Sequence, residues 1–235
     1  MAARSICRCW MATLSKPRWS SLFSSIRMES ASMASTSTQS RLPGRNALPG
    51  RNNSTTNHPG GDKPGLIIEE RKHLGKLNIR GDSAILTGIT AQTGCKALPE
   101  NNRFVTVGDR HLVWLGPDEY LLLCEAGREE DILGRLLLDF DSIHAAATNV
   151  TDSLCTLDIR GSAVRQVLAK GCALDLHPRV FATGQCAQTY LSHAAVTLLA
   201  TDANRFLLVC RTSFASYVVD WLEDAGLEFG TSFRA

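Results

Sequence analysis

Two parts of the chain repeat each other about 80 residues apart, and this repetition constrains the fold more than any other feature. Residues 77–84 (LNIRGDSA) resemble residues 157–163 (LDIRGSA), and residues 117–124 (PDEYLLLC) resemble residues 203–210 (ANRFLLVC). In both copies a strand-like alternation runs into a glycine that precedes a helical pattern. The repeated order predicts an α+β fold of two fused β-α-β-β-α-β halves (split βαβ, ferredoxin-like) that share one core.

The N-terminal quarter of the chain differs in composition from the rest. Residues 1–33 are rich in Arg and Ser, carry bulky apolar side chains and hold one acid, Glu29. This composition is typical of a transit peptide, and it favours the mitochondrial matrix over a plastid. Residues 34–62 are mostly Ser, Thr, Asn, Gly and Pro and contain LPGRN twice, which predicts a disordered linker. We therefore expect the folded domain at residues 63–235.

Charge and hydropathy exclude two classes of partner. The net charge of +2 combines a basic N-terminal segment with an acidic remainder, which argues against nucleic acid as a partner of the folded part. No apolar run approaches the length of a membrane-spanning helix, so we expect a soluble protein with no membrane partner. The six cysteines of the predicted domain lie far apart without a C-x-x-C pair, and they are interpreted as small buried hydrophobic residues in a reducing compartment.

The sequence lacks the short motifs that mark cofactor sites and covalent catalysis. It has no G-x-G-x-x-G after a strand, no G-x-x-x-x-G-K-[ST] and no G-x-S-x-G. We therefore expect this chain to bind no cofactor and no metal, and we assign no catalytic residue.

The densest group of reactive residue types is at residues 169–179 (AKGCALDLHPR). A Cys172 nucleophile served by His177 is one interpretation, but nothing in the pattern orients the pair. Metal binding by Cys172, His177 and Cys186 is another, and it lacks the paired spacing of zinc sites. Both are disfavoured against a structural role.

The same segment predicts an anchored, extended loop. Leu174 and Leu176 would hold it to the core, so that Asp175, His177 and Arg179 share the opposite face. That face is either solvated or a docking surface for a partner. We take these three residues as candidates for partner docking.

Several separated segments resemble one known family. Residues 114–121 (WLGPDEYL), 168–179 (LAKGCALDLHPR), 211–217 (RTSFASY) and 221–230 (WLEDAGLEFG) are similar to the sarcosine oxidase gamma-subunit family. The motif positions are Trp114, Gly116, Pro117, Lys170, Gly171, Cys172, Gln188, Thr189 and Trp221. Without the resemblance, Trp114 and Trp221 would be read as residues of the core or its edge.

The resemblance implies a fold related to the aminomethyltransferase/folate-binding superfamily. It also implies an accessory, non-catalytic subunit, with a structural or assembly role, in a heterotetrameric oxidoreductase. Such a complex demethylates sarcosine to glycine with tetrahydrofolate and oxygen, and its larger alpha and beta subunits hold FAD, FMN, NAD and the folate.

Two other functions stay open at this point. One is a stand-alone folate-binding or iron-sulfur-assembly protein of the related superfamily, whose motif also begins K-G-C. In this chain that start is followed by Ala173 and Leu174, which depart from that motif. The other is a non-enzymatic binding module.

Overall fold

The computed structural model describes residues 47–56 and 63–234. These residues contain twelve strands and four α-helices. The strands are β1 (Ser54–Thr56), β2 (Leu66–Glu70), β3 (Gly75–Arg80), β4 (Phe104–Val107), β5 (Arg110–Gly116), β6 (Glu119–Cys124), β7 (Ala146–Asn149), β8 (Leu154–Arg160), β9 (Cys186–Leu191), β10 (Ala194–Asp202), β11 (Arg205–Arg211) and β12 (Thr231–Arg234). The helices are α1 (Leu86–Thr93), α2 (Glu129–Asp139), α3 (Val164–Ala169) and α4 (Ala215–Ala225).

The strands form two sheets, which confirms the predicted α+β class. One sheet has the order β4-β5-β6-β3-β7, and the other has the order β1-β12-β2-β8-β11-β10-β9. In the first sheet, β7-β3-β6-β5 with the connecting helices α1 and α2 has the strand order of a split βαβ unit, and β4 is added at its edge. In the second sheet, β8-β11-β10-β9 repeats the order β3-β6-β5-β4. The repeated sequence segments therefore occupy equivalent strands.

The second half is not a complete copy of the first. β2, which precedes both repeats in the chain, lies between β8 and β12 and pairs antiparallel with β8, while β12 pairs parallel with β2. The position that β7 holds beside β3 is thus held beside β8 by a strand from elsewhere in the sequence. The expectation of two equivalent six-element halves is therefore wrong at this edge of the second sheet. Local sequence predicts that a segment forms a strand, but it does not determine which neighbouring strand it pairs with.

Three apolar clusters replace the single shared core that the sequence predicted. α3 and α4 cover the outer face of the seven-stranded sheet, and α1 and α2 cover the outer face of the five-stranded sheet. The inner faces of the two sheets pack against each other through residues such as Val113, Leu121, Leu199 and Val209. The prediction of one core is wrong because each sheet buries both of its faces, which produces helix, sheet, sheet and helix layers.

The repeated Arg-Gly pair marks an equivalent backbone turn in both halves. Gly81 has φ +151° and Gly161 has φ +138°, a region that residues with a side chain rarely adopt. Each glycine ends a strand and starts the turn into a helix. In the first half Asp82 caps that turn, because its carboxylate accepts a hydrogen bond from the backbone N–H of Ala84 at 2.9 Å.

Residues 47–56 lie on the domain, although the sequence predicted them as part of a disordered linker. Leu48 is buried in the cluster of the seven-stranded sheet, and β1 pairs with β12. Arg51 forms a salt bridge with Glu223 on α4, and its guanidinium lies 5.1 Å from the ring centre of Phe233. The linker prediction is wrong here, because one leucine, one arginine and a free sheet edge are enough to order a segment of polar composition. The rest of the predicted linker and the predicted transit peptide lie outside the described residues.

The six cysteines between Cys95 and Cys210 are free and buried, in agreement with their interpretation as small hydrophobic residues. Burial raises the pKa of the Cys124 thiol to about 11. It also raises the pKa of the Cys186 thiol to about 11. These thiols stay protonated in the folded state at pH values where an exposed thiol ionises.

We expect the free energy of unfolding to fall between about pH 9 and pH 11 because of these thiols. Their folded pKa lies above the unfolded value, so their contribution is complete below about pH 9 and is lost as the pH rises through the folded pKa. The loss should be about 1 kcal/mol for each thiol by pH 10. Urea unfolding at about pH 8 and pH 10 should show a smaller loss for a Cys124→Ala/Cys186→Ala variant, and an equal loss would contradict this origin.

Candidate docking loop and inter-sheet cleft

The loop between α3 and β9 is held in place by one arginine. Arg165 on α3 donates from Nη1 to the carbonyl oxygens of Leu176 and Phe181, at 2.5 and 3.1 Å. Its guanidinium also lies 4.9 Å from the ring centre of Phe206, and burial lowers its pKa. Sequence reasoning missed Arg165, since a single arginine on a short helix carries no motif. Its contacts give the loop a defined shape.

Asp175, His177 and Arg179 are all exposed in this loop, but two of the three side chains shape it. The Asp175 carboxylate accepts a hydrogen bond from the backbone N–H of His177 at 2.9 Å. Nδ1 of His177 accepts one from the backbone N–H of Arg179 at 3.2 Å. The extended geometry expected from the sequence therefore ends at His177, where the carbonyl group accepts from the N–H groups of Val180 and Phe181 and closes a turn. Within the described part of the chain, the Arg179 guanidinium makes no hydrogen bond or salt bridge.

The Lys170-Gly171 motif packs against α4 and the segment that follows it. Nζ of Lys170 forms a 2.5 Å salt bridge with Glu228. A Cβ atom on Gly171 would lie 2.4 Å from Cζ2 of Trp221, which is closer than van der Waals contact permits. The Trp221 indole ring occupies the space that a side chain at position 171 would need, so the tryptophan requires glycine at that position.

Cys172 is buried in the core beside these residues. Its Sγ lies 3.8 Å from the hydroxyl of Thr189, whereas His177 is engaged with the backbone of its own turn. No hydrogen bond joins Cys172 to His177 among the described residues. In the same residues, no group of three or more His, Cys, Asp and Glu side chains is arranged to hold a metal ion. The structural interpretation of this motif is the one that the geometry supports.

The remaining motif positions lie on β5, in the turn that follows it and on β9, and one of them bonds one sheet to the other. Trp114 packs against the cluster of the five-stranded sheet, and Gly116 and Pro117 form the turn between β5 and β6. Nε2 of Gln188, on β9 of the other sheet, donates to the carbonyl oxygen of Leu115 at 2.7 Å. This contact links the sheets where their inner faces begin to separate.

A cleft of about 690 Å³ lies between the sheets at this end. Its walls include the apolar side chains of Leu115, Leu121 and Val209, and also the motif residues Gln188 and Thr189. The inner faces of both sheets are thus packed against each other in the middle of the molecule and exposed at the cleft. Sequence reasoning did not predict the cleft, because its walls come from strands that are distant along the chain.

A buried carboxylate organises the opposite part of the interface between the sheets. The side chain of Asp158, on β8, is 1% exposed, and its oxygens lie 2.5 Å from Arg205, 3.2 Å from Arg160 and 3.7 Å from Arg71. The hydrogen bonds to Asp158 raise the pKa of Arg205. The alternation of the repeated strand places Asp158 on the face opposite Leu157 and Ile159, but it predicts neither the burial of that face nor the three arginines that meet the carboxylate.

The described residues include no helix with the length and apolarity needed to cross a bilayer.

Comparison with known proteins gives a family assignment. The model of the sarcosine oxidase, gamma subunit family matches residues 80–228, which is more than half of the chain. The chain belongs to this gamma subunit family. The match begins within β3 and extends past α4, so it includes all nine motif positions.

Two curated gamma subunits are similar over much of the chain. The sarcosine oxidase subunit gamma of Corynebacterium sp. strain P-1 is 30% identical over 148 residues, which cover 63% of this chain and 68% of that protein. The subunit gamma of an Arthrobacter species is 31% identical over 120 residues, which cover 51% of this chain and 58% of that protein. The matched region of this gamma-family chain thus spans 58–68% of the length of these two relatives.

Solved structures agree with the family assignment. Heterotetrameric sarcosine oxidase from Corynebacterium sp. U-96, in complex with pyrrole 2-carboxylate, contains a chain with a TM-score of 0.65 and 28% identity, and the match covers 70% of this chain and 85% of that one. The aminomethyltransferase T of Bartonella henselae matches with a TM-score of 0.55 and 12% identity, over 73% of this chain and 48% of that one. The second likeness shows the fold alone, and it agrees with the fold relationship that the sequence resemblance implied.

The comparisons contradict the expected mitochondrial location. The curated gamma subunits matched here come from bacteria, Corynebacterium and Arthrobacter, and bacterial proteins need no organellar import signal. The prediction rested on the Arg-rich, acid-poor composition of residues 1–33, and composition alone does not distinguish an import signal from any other basic segment.

Proposed function

We propose that this chain is the small accessory subunit of a sarcosine oxidase-type complex and that it docks on larger alpha and beta subunits. The observation that carries the proposal is the family match over residues 80–228, which spans strands of both sheets. The similar solved chain belongs to a heterotetrameric sarcosine oxidase. In this proposal the chain has a structural or assembly role in the oxidative demethylation of sarcosine.

The proposal assigns the cofactors FAD, FMN, NAD and tetrahydrofolate to the other subunits. A dinucleotide needs a glycine-rich turn from strand to helix that leaves room for its pyrophosphate. At Gly161 that room is taken by the backbone, since a Cβ atom there would lie 2.1 Å from the carbonyl oxygen of Gly65. At Gly81 the following turn is capped by the carboxylate of Asp82, which would repel a phosphate. Neither turn fits a dinucleotide.

The docking surface in this proposal is the loop that carries Asp175, His177 and Arg179. Arg165 holds the loop in one shape, and a preorganised loop loses less conformational entropy on binding than a mobile one. The loop presents the Arg179 guanidinium, which has no partner among the described residues, next to Val180, which is 54% exposed. Arginine beside an exposed apolar side chain is a combination that protein interfaces favour.

An Arg179→Ala variant should fold normally and bind the larger subunits more weakly. Its side chain has no partner to lose within the described residues, so the free energy of unfolding should change by about 0.5 kcal/mol or less. Loss of an interface arginine should weaken association by about 1–2 kcal/mol, which is roughly five- to thirtyfold in Kd. The measurement is titration of the full chain against larger subunits, co-produced from the genes of the same organism that resemble alpha and beta, together with a urea unfolding curve. His177→Ala is a poorer probe, because Nδ1 of His177 stabilises the turn.

Arg135→Ala is the matched control for this experiment. Arg135 is an exposed arginine on α2 whose salt-bridge partner in the described part of the chain is Asp131, one turn earlier on the same helix, so its loss should leave subunit binding unchanged. Equal binding of Arg179→Ala and the unaltered chain would place docking elsewhere on the surface. If the unaltered chain does not associate with the larger subunits at all, the subunit proposal itself is wrong.

A further inference from the structure

We propose that the cleft between the two sheets is a binding site for a small organic anion with a flat apolar body. This inference is independent of the docking loop and goes beyond the subunit role. It rests on the shape of the cleft, the chemistry of its walls and the arginine that lines it.

The shape of the cleft suits a flat molecule. Where Leu199 and Leu207 of one sheet meet Val113 and Leu123 of the other, the inner faces exclude solvent. Towards the cleft the sheets separate, and inner-face positions such as Ala195 become exposed. The volume of about 690 Å³ lies within the range of pockets that hold organic ligands, roughly 300–1,000 Å³. An opening between two pleated faces admits a planar body along both walls.

The walls combine apolar side chains with polar ones, and the two side-chain amides among the polar groups are already engaged. Leu115, Leu121 and Val150 contribute apolar surface. The side-chain amide of Gln188 is fixed by its hydrogen bond to the Leu115 carbonyl, and that of Asn78 is fixed by a 2.8 Å hydrogen bond to Glu119. A ligand would therefore meet a preformed surface, and its apolar body would gain by leaving water.

The charge of the site determines the sign of its ligand. Among the residues that the structure describes, Arg211 is the only lysine, arginine, histidine, aspartate or glutamate that lines the cleft. In the described residues its guanidinium has no hydrogen-bond or salt-bridge partner, whereas Arg160 and Arg205 on the same sheet are held by Asp158. A guanidinium that has no partner among the described residues, beside the apolar side chains of the cleft, favours a carboxylate or another oxyanion, which it can bind through two parallel hydrogen bonds.

A matched pair of probes tests this assignment. 2-Naphthoate is a planar aromatic carboxylate, and 2-naphthamide has nearly the same shape without the charge. We expect 2-naphthoate to bind the full chain and to shift the backbone amide NMR signals of Ala195, Thr197 and Arg211. The uncharged amide should bind at least about tenfold more weakly, because a hydrogen bond to a charged group is lost.

Two variants separate the contributions of charge and shape. Arg211→Gln should bring the Kd of 2-naphthoate to that of 2-naphthamide, whereas Arg135→Gln, on the exposed face of α2, should leave both unchanged. Thr197→Phe should block both probes by filling the cleft. The proposal is wrong if the two probes bind equally, if Arg211→Gln has no effect, if the shifts map elsewhere, or if neither probe binds at millimolar concentration. If a larger subunit buries the cleft residues and neither probe binds the free chain, the cleft is an interface for a polypeptide, and the small-anion proposal is also wrong.

Discussion

Replacing Gly161 by alanine should destabilise the protein by about 3–5 kcal/mol, the largest effect that we expect from any single substitution here. The new Cβ atom would lie 2.1 Å from the carbonyl oxygen of Gly65 and 2.8 Å from its carbonyl carbon. Both are backbone atoms of the residue immediately before β2, so they cannot move aside without disturbing the pairing of β2 with β8. The φ of +138° adds strain for any residue with a side chain.

Alanine substitutions at two other glycines provide a comparison for the stability of Gly161→Ala. Gly81 occupies the equivalent turn, but a Cβ atom there would meet the Cγ2 methyl group of Ile85 at 2.4 Å, so Gly81→Ala should cost less, about 2 kcal/mol. Gly134 lies within α2 with open space around it, and Gly134→Ala should stabilise by about 0.5–1 kcal/mol. Urea unfolding should show Gly161→Ala as the least stable variant, Gly81→Ala as the next and Gly134→Ala as the most stable. If Gly161→Ala does not fold while Gly81→Ala does, the result agrees with this order. A Gly161→Ala variant as stable as Gly81→Ala would contradict the close approach of β2.

Replacing Asp158 by asparagine should destabilise the protein by about 2–4 kcal/mol. The carboxylate is 1% exposed and is shared by Arg71, Arg160 and Arg205, which come from the β2–β3 turn, β8 and β11. Without this negative charge the three cations would lie close together, with the nearby carboxylates of Glu69, which is bonded to Arg160 at 2.8 Å, and Asp202 as partial compensation. Asparagine keeps the size of the side chain, so the effect reports charge and hydrogen bonding more than packing. The measurement is urea unfolding at low and high salt.

Asp131→Asn is the matched control for this substitution. Asp131 also bridges two arginines, Arg128 at 3.2 Å and Arg135 at 3.1 Å, but its side chain is 40% exposed on α2. Solvent and salt screen such a pair, so its loss should cost about 0.5 kcal/mol or less and should shrink further in high salt. If both aspartates give the same small change, the Asp158 network contributes no more than a surface salt bridge.

The sequence by itself determined the α+β class, the equivalent order of the repeated strands and the family. Repeated alternation that ends in Arg-Gly is a local signal: Leu77 and Ile79 face the helices because side chains alternate along a strand, and the glycine allows the turn that follows. The resemblance also rests on local segments of sequence, which is why the family assignment needed no coordinates. The motif residues could be named in the same way, but their roles could not. Gly171 is explained only by Trp221, fifty residues later.

The tertiary structure alone decided the features that depend on distant strands meeting. β2 takes the edge of β8, and residues 47–56 are ordered because β12 offers a free edge and α4 offers Glu223 to Arg51. The Asp158 network and the cleft at Arg211 have the same origin, because each is assembled from strands that lie far apart in the sequence. The local pattern predicts which face of a strand is buried. Which strand or helix packs against that face depends on the relative stability of all the pairings that the folded chain allows.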